Sequence, residues 1–126
     1  MTGYPDRALE LANEAISIAT RLHHPQSLAY AHFHSGLILA WLREPEHAAE
    51  HAVAVIALGE EHDLQVWAAV GRCLHGVALA ATGTVDEGIA IFEAAMERYQ
   101  ELQSPPVFWP SLLHFRAMML GLLGQP

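Results

Sequence analysis

The chain has 126 residues, enough for one domain with a modest core and too few for two. Its 6 Lys and Arg stand against 14 Asp and Glu, a formal charge of −8, so the surface repels phosphate backbones and no nucleic-acid partner is expected. Apolar residues make up 52% and charged ones 16%, too apolar for disorder and too often interrupted for a membrane protein.

The elements follow in order. A helix is expected over 5–22, with Pro5 suited to its first position. Small and apolar residues at 8, 12, 15, 19 and 22 form one stripe, and Asp6, Arg7, Glu10 and Glu14 lie on the other face. After the connector His23-His24-Pro25, a second helix over 27–42 is apolar almost all round. The uncharged stretch Pro25 to Leu42 still carries Gln26, Ser27, His32, His34 and Ser35, so it reads as buried and not as membrane-spanning. Pro45 opens a one-faced helix over 45–62, and His62-Asp63-Leu64 leads to an apolar helix over 67–82 whose formal charge is Arg72. Thr84 and Glu87 form an expected capping box for a helix over 85–102. Gln103-Ser104-Pro105 then leads to the last apolar helix, 107–123, with Arg116 its formal charge.

A gapless period of 40 underlies this order: Ala8, Ala48 and Gly88 fall in step, as do Ala12, Ala52 and Phe92, Ala15, Val55 and Ala95, and Gly36 and Gly76. One-faced helices that alternate with all-apolar ones, joined by short connectors, make a stack of antiparallel helical hairpins. The expected fold is all-α: one domain over 1–126 with about six helices, in units near 3–42, 43–82 and 83–123. No segment alternates with period two, so strands are not expected. The lone Cys73 precludes an internal disulfide, and Met1 to Glu10 lacks a signal peptide's basic start and apolar run; a cytoplasmic location is expected.

The spacing of Gly76, Gly83, Gly88, Phe92 and Ala95 resembles the tetratricopeptide repeat (TPR) pattern. Gly36, Ala48 and Val55 keep part of it, while Arg43 replaces the turn glycine, Ala52 the aromatic, and His32 and Arg72 stand where the family often has tryptophan. The stretches Pro25 to Ala31, Val66 to Gly83, Asp86 to Ala90 and Trp109 to Leu113 look like the carboxy-terminal TPR-like region of bacterial multidomain signalling proteins. There, a nucleotide cyclase or transcriptional regulator and a signal-transduction ATPase precede the repeats. The resemblance implies a right-handed solenoid and a regulatory or sensor arm that is not an enzyme. No Gly-rich phosphate loop ending in Lys-Ser or Lys-Thr is present.

The resemblance also implies a concave groove on the apolar helices: Tyr30, Phe33, Leu37 and Trp41, then Val70, Cys73 and Val77, then Leu113 and Ala117. An apolar helix or extended protein segment is its expected guest; the alternative is a small-molecule effector between helices near Trp67 or Trp109. Gly3-Tyr4-Pro5 and Gly124-Gln125-Pro126 look like one turn offset by three periods plus one residue. The chain then begins and stops within hairpins and exposes apolar surface at both ends, which leaves open a longer array or a homo-oligomer built through those ends.

Other constellations carry less. His47 and His51 share a helical face, but two imidazoles are not a metal site, and no metal or cofactor is expected. Protonating all nine histidines would move the formal charge from −8 to +1, without placing them at one interface. Cys73 and His75, two apart on a helix, diverge, and Glu60, Glu61 and Asp63 read as a solvated patch.

Overall fold

A computed structural model describes residues 4–103 and 108–124, and every long element in it is a helix. The helices are α1 (Tyr4–Arg21), α2 (Pro25–Trp41), α3 (Pro45–Glu61), α4 (Gln65–Ala81), α5 (Val85–Glu101) and α6 (Trp109–Gly124). Among the described residues there is no strand. The side chains of Tyr4, Pro5, Trp41 and residues 122–124, and the ends of the sequence that carry Gly3 and Gln125-Pro126, lie outside what is described.

Positive φ recurs every 20 residues, at His23 (52°), Arg43 (62°), Asp63 (54°), Gly83 (109°) and Gln103 (53°). Each of these residues turns the chain out of a helix by the left-handed stop that glycine usually supplies. At Arg43 the two bonds of that stop are Arg43 N–H to the Ala40 carbonyl (3.2 Å) and Glu44 N–H to the Leu39 carbonyl (2.9 Å). The same pair recurs at His23-His24 and at Gly83-Thr84. The Glu44 carbonyl then accepts from Ala48 N–H (3.0 Å), the first bond of α3. One residue thus closes one helix and opens the next.

This economy explains two departures from the sequence expectation. The Thr84 N–H is already bonded to the Leu79 carbonyl (3.1 Å), so Glu87 has no free donor to reach, and Thr84 makes no side-chain cap bond; the capping box does not form. The turn also passes straight into the following helix, so α2 and α4 begin at Pro25 and Gln65, two residues ahead of the expected starts. His24 does cap α2: its Nδ1 accepts from Ser27 N–H at 3.2 Å.

Consecutive helices pack as antiparallel neighbours, with α4 at the centre against α2, α3, α5 and α6. At the α4–α5 seam the two backbones come close together. A Cβ at Gly76 would lie 2.6 Å from the Gly88 carbonyl oxygen, and one at Gly88 would lie 2.6 Å from the Ala80 nitrogen. Side chains there would push two backbones apart. Phe92, fully buried, fills the space beside this approach. The core runs on through Val55, Val70, Cys73, Leu74, Tyr99, Leu112, Phe115 and Met119, so α2 to α6 share one continuous apolar interior.

Ion pairs decorate the outside. Arg72 meets Glu60 at 2.8 Å and Arg116 meets Glu93 at 2.7 Å, all well exposed; such pairs contribute about 0–1 kcal/mol each. No helix among the described residues is long and apolar enough to cross a membrane.

Candidate functional site

The expected groove divides into three parts. Phe33, Val70, Cys73 and Val77 belong to the core, with exposures of 5% or less, and are not open to a partner. Tyr30, Leu113 and Ala117 are exposed, while Leu37 is half-buried beside a cavity of about 210 Å³ shared with Pro110, Ser111, His114 and Phe115. The Trp41 side chain lies outside the described residues.

At Phe33 the burial comes from an aromatic cluster. Phe108, immediately before α6, meets Phe33 and Trp67 edge-on, with ring centroids 5.3 and 5.2 Å apart. Tyr99 is hydrogen-bonded to the Phe108 backbone and stacks on Trp109 at 6.2 Å. Helix α6 runs from Trp109, the expected start at Val107 lying outside the described residues, and Phe108 plugs the apolar face where a guest was anticipated. Trp67 and Trp109 are spent on packing, since Trp67 is buried and Trp109 is half-buried on Tyr99.

A different apolar surface is open. Between α1 and α2 runs a groove of about 680 Å³, lined by Ala8, Leu11, Ala12, Ala15, Ile18 and Leu22 on one side and by Tyr30, Ala31, His34 and Ile38 on the other. Leu22 is 71% exposed, Leu11 52% and Tyr30 47%. The sequence signal for it was the repeat itself. Forty residues on, the matching positions Val55, Val70, Leu74 and Ala78 are fully or almost fully buried, because α2 occupies the groove between α3 and α4. A Cβ at Gly36 of α2 would meet Leu74 of α4 and His51 of α3 there.

The histidines arrange themselves differently from their spacing in the sequence. His51 pairs with His32 across the α2–α3 seam, Nδ1 to Nδ1 at 2.9 Å, while His47 turns to Glu44 at 3.4 Å. Burial holds both His32 and His51 below the ordinary imidazole value, and each is pressed further down by a neighbouring imidazole, His51 for the first and His47 for the second. The bond requires one donor and one acceptor nitrogen, so at most one ring of the pair carries a charge without breaking it. Among the described residues no three His, Cys, Asp or Glu converge as a metal would need.

The remaining reactive groups are quiet. Burial pushes the Cys73 thiol up to about 12, with the Glu93 carboxylate adding to the effect, so a thiolate is not available near neutral pH. Of the acidic trio, Glu60 is held by Arg72. Compared with known proteins, the chain matches no family model, no curated protein and no solved structure.

Proposed function

We propose that the chain is a non-catalytic protein-interaction module of tetratricopeptide type that receives an apolar helix in the groove between α1 and α2. One observation carries this reading. Ala15, Tyr30 and His34 are exposed, whereas their counterparts 40 residues later, Val55, Val70 and Leu74, are sealed beneath α2. The groove is therefore shaped for a helix of the α2 kind, and filling it would desolvate Leu11, Ile18, Leu22 and Tyr30 together. Its guest is a protein helix and not a carboxylate, because the lining is mostly apolar and offers no Lys or Arg.

The likeness to the repeat arms of bacterial signalling proteins supports a regulatory role, in which occupancy of this groove biases a module elsewhere in an assembly. An effector site for a small molecule is less well supported. The cleft of about 480 Å³ beside Ala40, Val77, Met118 and Met119 has a suitable size, but Arg43 is its one charged anchor.

A labelled peptide with the sequence of residues 25–41 tests the reading, since α2 fills the equivalent groove inside the chain. Saturable binding to the intact protein is expected, weakened about tenfold or more by Ile18→Glu with helicity unchanged. Absence of binding, or binding indifferent to Ile18→Glu, refutes it.

A further inference from the structure

The groove between α1 and α2 has a counterpart at the other end of the molecule. On α6, Leu112, Phe115 and Met119 are buried, as are Gly71, Leu74 and Ala78 of α4, 41 residues earlier. By that offset, Ala117 and Gly121 of α6 occupy the places of Gly76 and Ala80 of α4. Those two press directly on Gly88 and Phe92 of α5. In α2 the same places belong to Gly36 and Ala40, facing α3. Yet on α6 this row faces open space: Ala117 is exposed, and a Cβ at Gly121 would have no neighbour within 4 Å. Met118 and Leu120, beside it, are 43% and 46% exposed.

The two open surfaces are the halves of one interface that the chain already forms twice within itself. Helix α6 presents the face with which α2 meets α3 and α4 meets α5. Helix α1 presents the receiving face, with Ala8 where α3 has Ala48 and α5 has Gly88. We infer that the groove is filled by α6 of a second copy of this chain, with Ala117 and Gly121 lying along Ala8 and Ala12 and Met118 and Leu120 beside them. The occupant is thus identified by continuity with the α2–α3 and α4–α5 seams. Such a contact joins unlike surfaces, head to tail, so each copy keeps one free groove and one free α6, and association continues beyond a pair. This inference rests on the proposed reading of the groove and specifies its guest.

Two exposed positions make the test. Ala15→Arg blocks the groove, and Gly121→Arg blocks α6 while adding a better helix former. Light scattering of the intact protein over a concentration series should show a mass that climbs past twice the monomer. Each variant alone should be monomeric, with circular dichroism showing the same helix content as the parent. Mixed in equal amounts, the variants should form a one-to-one pair and nothing larger, because one intact groove and one intact α6 remain between them. A parent that stays monomeric at every concentration, a closed dimer that mixing does not restore, or assembly that survives both substitutions overturns the inference. Binding of the 25–41 peptide to the Gly121→Arg protein, which keeps its groove, separates the two ideas. Peptide bound without self-association sinks only the second copy, and no peptide bound sinks the groove itself.

Discussion

Gly83 and Arg43 occupy equivalent turns at unequal cost. Gly83 sits at φ 109°, outside the region that a side chain tolerates, with open space around it. Gly83→Ala therefore meets backbone strain and no clash, and is expected to cost about 1–2 kcal/mol in urea unfolding. Arg43 bears the left-handed conformation with a long side chain, and Arg43→Gly should be stabilising, by up to about 1 kcal/mol, where a glycine inside a helix would be destabilising. The opposite signs at positions 40 residues apart test whether the turns are one structure. Sequence gave only half of this away. Gly83 announces its turn and Asp63 tolerates the left-handed geometry, whereas His23, Arg43 and Gln103 adopt it because the helices on either side impose it.

At the scale of helix against helix, the His32–His51 bond couples α2 to α3 and makes the seam acid-sensitive. Both rings, and that of His34, titrate below the ordinary imidazole value because burial disfavours the cation. Groups of this kind bind protons more readily in the unfolded chain. Their contribution to stability is full above about pH 6.5 and is lost as pH falls from there through the lowered folded values. Glu50 opposes the shift at His51 and His47 reinforces it. The urea midpoint should therefore fall between about pH 7.5 and 5, and His51→Leu, which installs the residue found at the matching position 11, should flatten that fall. A fall of unchanged size in the variant would place the acid sensitivity elsewhere. The period of 40 and the alternation of one-faced with all-apolar helices were legible before any coordinates. The pairing of His51 with His32 was not, because it depends on how two helices are rotated against each other. The covering of the expected groove by Phe108 was hidden for a similar reason: where that ring lands is decided by the stacking of α2, α4 and α6, and neighbours in sequence do not encode it.

Across the whole molecule, burial is concentrated in the middle. Helix α4 has most of its length in the core, from Trp67 to Ala80, whereas α1 contributes Ala12 and Ala19 and leaves Leu11 and Ile18 in solvent. Stability in a stack of this kind is carried by contacts between neighbours, so the ends open first. Amide hydrogen exchange should be slowest in α4, intermediate in α3 and α5, and fastest in α1 and α6. Uniform protection from α1 to α6 would show that the stack opens only as a unit. Raising protein concentration should slow exchange in α1 and α6 selectively if the end faces meet between copies.

The turn that closes one helix and starts the next at a single residue has a consequence for how such a chain can grow. Cutting after Glu44 and after Thr84 excises a cassette whose two junctions are chemically alike, so a tandem duplication of residues 45–84 splices into the chain without a new linker. Lengthening by whole hairpins leaves every existing junction as it was and keeps the alternation of one-faced and all-apolar helices.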